Sequence, residues 1–588
     1  MGKISINTQL KQKGIKLNRE QLQAVKQLND VSVVTAGAGT GKTSLLVGKI
    51  NYASMEDPGC SILAITFTKK AVAELQSRLV GNLNCMVNTF HSFFYRILRA
   101  NGYKSFKFME NNSQKSTIMR KVIEAEQLTD KLTVEMLEEA LRKGNFADED
   151  TKKAMEAYFD QLKSMRLLCF DSLQYFCKEL LQNNPAVAIR TRSLFNYIMV
   201  DEAQDMSKIQ LEIIKLIWPA DRINNLTFVG DQKQAIYSFR GSAPNVMTEL
   251  QQYYEAYTFK LTTNYRSTEA ILACANGVLP SNEALTAVRG KGEPVVFHAS
   301  EDQKKEAEYI ANQIKLLHNG GMPLRDIVVL FRASHAVKEL YEVLVGEHIP
   351  FVQIGSDPFK WNNSRYKCFL AILSFMYDPD NRHYSCALPL FGLPKDITGD
   401  IEEGLNLPFS ELLMGISSMS KKHRGILEEF FSIDPEKYSL HELVNLIWDK
   451  YLKAYFKAED DEILEAFIDE IADFTSFIQL RNHISEVRRQ VKQMQRLVAN
   501  PNADYLRLMS IHTAKGSECS TVFVVGTAEG ILPDLAHDEI NIDEENRLAY
   551  VAVTRAKDKL FVTYPKTAPN GSAVAPSRFF KQFFDNQQ

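Results

Sequence analysis

The chain has 588 residues and a formal net charge of −3, with 45% hydrophobic and 24% charged residues. That is an ordinary globular composition with room for about four structural units. No run of 18 or more apolar residues occurs, which excludes a membrane-spanning helix, and the polar stretch from Met1 to Lys11 does not read as a secretory signal. The eight cysteines, at positions 60, 85, 169, 177, 274, 368, 386 and 519, form no Cys-x-x-Cys pair, so neither a zinc or iron–sulfur site nor a disulfide framework is expected, and the cytoplasm is the expected compartment. The near-neutral charge neither marks nor excludes a nucleic-acid partner, because a local groove can carry that binding.

The first predicted strand, Val31–Thr35, runs into Ala36-Gly-Ala-Gly-Thr-Gly-Lys-Thr43, and an apolar helix begins at Ser44. Strand, glycine loop and helix in this order make a phosphate-binding loop. Gly37, Gly39 and Gly41, with Ala38 and Thr40 between them, let backbone N–H groups approach phosphates at a helix N-terminus. Lys42 would reach the β- and γ-phosphates and Thr43 would ligate Mg²⁺. The usual pattern opens with Gly, and Ala36 departs from it. A second strand is predicted at Ser61–Phe67, and a helix-rich insertion over about residues 105–190. The strand Tyr197–Val200 then delivers Asp201-Glu-Ala-Gln-Asp205. Adjacent carboxylates at the end of an apolar strand are costly unless they serve a cation or a reaction. Asp201 suits Mg²⁺, and Glu202 suits orienting or deprotonating an attacking water.

Leu226–Val229 completes the first set of strands. Ile327–Phe331, Phe351–Ile354, Leu506–Ile511, Thr521–Val525 and Leu560–Thr563 form a second set, interrupted by a helical insertion over about 375–500. In that insertion Ile484, Val487, Val491, Met494 and Leu497 recur at helical spacing beside Arg488, Arg489, Lys492 and Arg496, the pattern of a packed helix with a solvated basic face. Strand and helix signals alternating in two sets predict an α/β protein with two parallel-sheet cores.

Beyond the phosphate loop and the carboxylates, the order of segments resembles the UvrD/Rep/PcrA helicases of superfamily 1 nearly end to end. Leu17-Asn-Arg-Glu-Gln21, Ile65-Thr-Phe-Thr-Lys-Lys-Ala71, Asn88-Thr-Phe-His-Ser92, the string Val229–Gly241, Asn264-Tyr-Arg-Ser267, Ser510–Glu518 and Arg547–Ala556 carry the resemblance. It implies two RecA-like cores, the first over 1–104 and 186–265 with an insertion at 105–185. The second would take 266–375 and 501–588, with an insertion at 376–500. It further implies that Gln21 reads adenine, Tyr265 stacks on it, Glu518 lies near the ribose, Gln234 and Arg266 meet the γ-phosphate, and Arg555 is an arginine finger. Nucleic-acid contacts are implied for Thr66, Phe67, Phe90, His91, Tyr237, Phe239, Arg240, His512 and Lys515. Their chemistry suits a single strand: aromatic faces for bases, cations for phosphates.

Several residues depart from the UvrD pattern. Ala203 and Phe239 stand where UvrD-like enzymes carry Phe and Trp, which leans toward the AddA/RecB and F-box helicase branches. Ser44 replaces an arginine near the adenine, and Phe391–Asp396 replaces a Gly-Ile-Gly hairpin. Only 33 residues follow Arg555, too few for a RecB-type nuclease domain. The reading is an ATP- and Mg²⁺-dependent DNA helicase or translocase moving 3′ to 5′ on single-stranded DNA and at single/double-strand junctions, direction following from the resemblance alone. Its alternative is a single-strand translocase or DNA-stimulated regulatory ATPase working with a separate nuclease, or with a repair or defence partner. A phosphate-loop kinase is disfavoured by Gln234, Tyr265, Arg266 and Arg555.

Overall fold

A computed structural model describes residues 6–79, 84–109, 112–144, 146, 148–237, 241–242, 245–280, 284–355, 361, 363–379, 387, 390–391, 420–456, 461–472, 474–498, 500, 502–535, 541–568 and 571–585. Its contacts divide the chain into one unit of residues 1–300 and 514–588 and another of residues 301–513. Parallel strands build two sheets of six strands each, the α/β architecture of two RecA-like cores expected from the alternating pattern.

In the first unit one sheet has the order Cys85–Thr89, Ile62–Thr66, Tyr197–Val200, Leu226–Gly230, Ser32–Ala36, Tyr257–Leu261, every neighbouring pair parallel. Successive side chains in a strand point to opposite faces, and the core divides accordingly. Val33, Leu63, Ile65, Ile198, Val200, Leu226 and Phe228 pack into one apolar layer, with the helix Phe90–Ala100. Val34, Ala36, Ile62, Ala64, Tyr197, Met199 and Val229 pack into the other, against the helix Lys42–Glu56. Helices covering both faces explain why these strands read as continuous apolar runs. Between about 105 and 190 the described residues are mainly helical, with helices at Asn112–Ala125, Val134–Lys143, Glu149–Met165 and Phe170–Asn183 and a short parallel ladder of Lys107–Phe108 with Leu167–Leu168. This unit also holds a parallel ladder of Val296–Ser300, Ala556–Pro565 and Cys519–Val524.

The second unit carries the parallel ladder Ile327–Phe331, Leu506–Ser510, Phe351–Ile354. The amphipathic run forms the 22-residue helix Phe477–Val498, with Ile484 and Val487 buried. Of the segment Phe391–Asp396, Phe391 is buried and residues 392–396 lie outside the described residues. No helix among the described residues is long and apolar enough to cross a membrane.

Candidate active site

The phosphate loop leaves the sheet at Ala36, which is still paired with Leu261 and fully buried. The position that departs from the glycine pattern is therefore a strand residue, where a methyl group packs without strain. Two later positions need glycine. Gly39 and Gly41 have φ of +68° and +83°, and a Cβ on Gly39 would lie 2.6 Å from Asn264 Nδ2. Gly41 is the N-cap of the helix Lys42–Glu56 and no side chain caps it, which leaves the first-turn N–H groups for an anion.

Two buried amides hold the loop. Gln21 Nε2 donates to the Thr40 carbonyl at 2.9 Å, while its Oε1 accepts from Asn18 N in a reciprocal helix cap. The adenine-reading role implied for Gln21 thus meets an amide engaged at both ends. Asn264 Nδ2 donates to the Ala38 carbonyl at 2.7 Å, and its Oδ1 accepts from the N–H groups of Arg266 and Ser267. Tyr265 N donates to the Gly39 carbonyl at 2.9 Å, with its ring 44% exposed beside the loop. Sequence reasoning quoted Asn264 inside a motif but assigned it no task. An asparagine just before a tyrosine–arginine pair was the available signal.

At the end of Tyr197–Val200, Glu202 sits in the left-handed region at φ 50°, ψ 40°, a conformation that costs a non-glycine residue about 1–3 kcal/mol. It aims the carboxylate at Lys42, whose Nζ donates to Glu202 Oε2 at 2.8 Å. Gln204 Nε2 donates to the same oxygen at 2.6 Å, and Gln204 Oε1 accepts from Asp231 N. Burial opposes ionisation of Glu202, but Lys42, Lys515 and these hydrogen bonds outweigh it and hold its pKa below the ordinary value. Asp201 is pushed the other way, by burial first and then by Glu202. Burial likewise disfavours the Lys42 ammonium, but Glu202, Asp201 and Asp231 prevail and raise its pKa.

The described residues hold no group of three His, Cys, Asp or Glu that could bind a metal. One carboxylate held against its ionisation, even with a threonine hydroxyl added, is a poor cage. It fits Mg²⁺, which keeps its waters and binds mainly through nucleotide phosphates. Thr43 and Asp201 are the residues that would hold it.

Arg555 is 1% exposed. Among the described residues its guanidinium donates to neutral oxygens: Val551 O, Ser517 O, Thr554 Oγ1 and Gln234 Oε1, the last at 2.9 Å. Burial, then Arg266, lowers its pKa to about 9, which leaves it cationic at neutral pH. Gln234 also donates to Asp231 Oδ2 at 2.6 Å. Arg266 donates to Glu518 Oε2 at 2.7 Å and to the Thr554 carbonyl. Glu518 also pairs with Lys557. Burial raises the Glu518 pKa, but Lys557 and Arg266 overcome it and bring it to about 2. Residues far apart in sequence, Lys42, Glu202, Gln234, Arg266 and Arg555, therefore converge within the first unit.

The expected nucleic-acid contacts divide. Phe67 and Tyr237 are half-buried and stack on each other, rings parallel within 6° and centroids 5.8 Å apart. His91 is half-buried, its pKa lowered by burial against the opposing effect of Asp171, and it packs edge-on against Phe170, which is 67% exposed. Phe170 is a surface aromatic that sequence reasoning missed. Phe90 is not a platform in this structure: it is 2% exposed and belongs to the sheet core. Thr66 is 1% exposed, its hydroxyl turned to the Thr68 carbonyl. Lys515 does not face solvent either, being paired with Asp205. Phe239 and Arg240 lie outside the described residues. His512 is the second residue of the short helix Ile511–Ala514.

Comparison with known proteins agrees with this geometry. The UvrD/REP helicase N-terminal domain matches residues 17–255, and the UvrD-like helicase C-terminal domain matches residues 259–500 and 418–567. A probable DNA helicase II homolog of Mycoplasma capricolum subsp. capricolum is 28% identical over 96% of this chain and 87% of its own length. The ATP-dependent DNA helicase PcrA of Leuconostoc citreum is 28% identical over 96% and 84%, and the ATP-dependent DNA helicase Rep of Buchnera aphidicola is 27% identical over 96% of both chains. Because the two domain matches together run from residue 17 to residue 567, the chain belongs to the UvrD-like helicases.

Proposed function

We propose that this chain is an ATP-dependent DNA helicase that moves 3′ to 5′ on single-stranded DNA in the cytoplasm, with ATP·Mg²⁺ as its fuel. The observation that carries the reading is Arg555, a buried cation whose hydrogen bonds among the described residues all go to neutral oxygens, set against the γ-sensing amide Gln234. Burial and Arg266 work against this charge, and Glu202 and Glu518 favour it without hydrogen-bonding to it. A buried cation so weakly compensated is costly, and a transferring phosphoryl group supplies further negative charge.

In this reading Lys42 and the phosphate loop from Ala36 to Thr43 hold the phosphates. Glu202 orients the attacking water, Gln234 senses the γ-phosphate, and Arg266 and Arg555 neutralise charge that develops on the transferring group. Thr43 and Asp201 would hold Mg²⁺, which would supply further charge neutralisation. Tyr265 stacks on the base, Glu518 neighbours the ribose, and Gln21 holds the loop through Thr40. Phe67, Tyr237 and His91 contact the single strand, and the motifs assign further contacts to Phe239, Arg240 and His512. The domain division is that of two cores, 1–104 with 186–265 and 266–375 with 501–588, and two insertions, 105–185 and 376–500.

The test is strand displacement on 3′-tailed and 5′-tailed duplexes by the purified chain, with ATPase measured with and without single strands. Unwinding of the 3′-tailed substrate alone, and ATPase stimulated by DNA, are expected. ATPase indifferent to DNA would overturn the reading. Stimulation without unwinding would favour a translocase that works beside a nuclease. Glu202→Gln should bind ATP and stall, whereas Lys42→Ala should lose hydrolysis altogether.

A further inference from the structure

We propose that Lys515 is the positioning residue that couples track to fuel: its ammonium holds together the turn after the catalytic carboxylates, the γ-sensor strand exit and the aromatic face for DNA. This inference rests on the helicase reading above.

Lys515 Nζ donates to both Asp205 oxygens at 2.6 Å and to the Gln234 carbonyl at 2.5 Å. An ammonium has three donors and no acceptor, so all three are spent inside the protein. The two side chains are 6% and 1% exposed. No donor remains for a DNA phosphate, which the sequence had suggested. The same ammonium lies 4.9 Å from the centroid of the Tyr237 ring, and that ring stacks on Phe67.

Each partner leads to a separate part of the machine. Asp205 closes the short turn Ala203–Asp205, which begins directly after Glu202, and its carbonyl accepts from Ser242 Oγ. Gln234 presents its carbonyl to Lys515 and its side-chain oxygen to Arg555. Tyr237 is three residues further along the same segment. The charged groups that bear on Asp205 are Lys515, Glu202 and Lys42. A base that displaces the Tyr237 ring must shift the ammonium beneath it, and that ammonium cannot move without the backbone of Gln234 or the carboxylate of Asp205. One charge thus transmits a track event to both the water-orienting and the γ-sensing groups, within a contiguous hydrogen-bonded network.

Lys515→Met, Lys515→Arg and Asp205→Asn test this in the full chain, with three readouts: single-strand Kd, ATPase at saturating DNA, and basal ATPase. For Lys515→Met and Asp205→Asn the stimulation factor should fall about 2- to 30-fold, the range of energetic coupling through such networks. Single-strand Kd should stay within roughly threefold, since no phosphate contact is lost. Lys515→Arg, still able to grip Asp205 with two donors, should regain most of the stimulation. If Kd weakens with a shallower salt dependence while stimulation at saturation survives, Lys515 is a phosphate contact and the proposal fails. Parallel loss of basal and stimulated rates with lowered melting temperature, unrescued by arginine, also overturns it. Should Lys515→Met not fold, Asp205→Asn decides by the same criteria. A wild-type chain without DNA stimulation sinks the helicase reading itself; normal stimulation in all variants sinks only the coupling.

Discussion

Two buried cations behave in opposite ways, and the difference lies in what surrounds them. Arg555 faces Gln234 in the site, and its charge is wanted when the phosphoryl group transfers. Arg555→Ala should cut DNA-stimulated ATPase by roughly 10³-fold or more, as loss of an arginine finger does, with nucleotide affinity falling far less. Affinity collapsing with turnover intact would make it a ground-state binder. Lys49 has no such task. It is 1% exposed in the helix behind the loop, donating to the Ala24 carbonyl and to Ser32 Oγ. Burial lowers its pKa from 10.5 to about 7. The unfolded chain therefore binds this proton more readily than the folded one between those values, and stability should rise with pH across that window at up to about 1.4 kcal/mol per pH unit. Lys49→Met removes the effect. Relative to wild type, the variant should gain about 2 kcal/mol more at pH 7 than at pH 9 in denaturant melts. A difference independent of pH would mean that Lys49 keeps its charge through hydrogen bonding.

At the scale of elements, the phosphate loop depends on a turn more than 220 residues away in sequence. Asn264→Asp keeps the two acceptor contacts but loses the donor to Ala38, placing a carboxylate against a carbonyl. Leaving such a buried group unsatisfied costs about 1–3 kcal/mol, so ATP affinity should fall roughly 5- to 150-fold while the fold persists in circular dichroism. Unchanged affinity would show that the glycines shape the loop by themselves. The same element shows where sequence reading succeeds and stops. Tyr197–Val200, Ile327–Phe331 and Phe351–Ile354 were legible to the residue, the first two because burial on both faces demands an unbroken apolar run. Cys85–Thr89, Tyr257–Leu261 and Val296–Ser300 were missed: Tyr257–Leu261 buries only Leu261, and Val296–Ser300 only Ser300. The phosphate loop and carboxylate pair were legible because local order dictates them. Phe90 and Lys515 were misjudged because nothing local distinguishes a core ring from a platform, or a buried ammonium from a solvated one. Asn264 and Gln204 escaped because their partners, Ala38 and Asp231, lie 226 and 27 residues away.

For the molecule as a whole, every residue proposed for the nucleotide site, from Gln21 to Arg555, belongs to the unit of residues 1–300 and 514–588. The segment proposed as a second insertion, residues 376–500, falls within the other unit and supplies none of them. Its helix Phe477–Val498 carries Arg481, Arg488, Arg489, Lys492 and Arg496, with Arg489 paired to Glu486. Such a face can steer a duplex by charge without taking part in chemistry. Replacing 376–500 by a flexible linker should therefore leave DNA-stimulated ATPase within about tenfold of wild type, under 1.4 kcal/mol of barrier. Duplex unwinding should change much more, in either direction, since the segment's charge would no longer bear on the junction. The control is salt dependence. If the basic helix meets phosphates, the deletion should flatten the slope of duplex binding against salt, with the single-strand slope preserved. Complete loss of ATPase in a folded deletion protein would mean that the insertion builds the engine, and the division into motor and insertion would have to be abandoned.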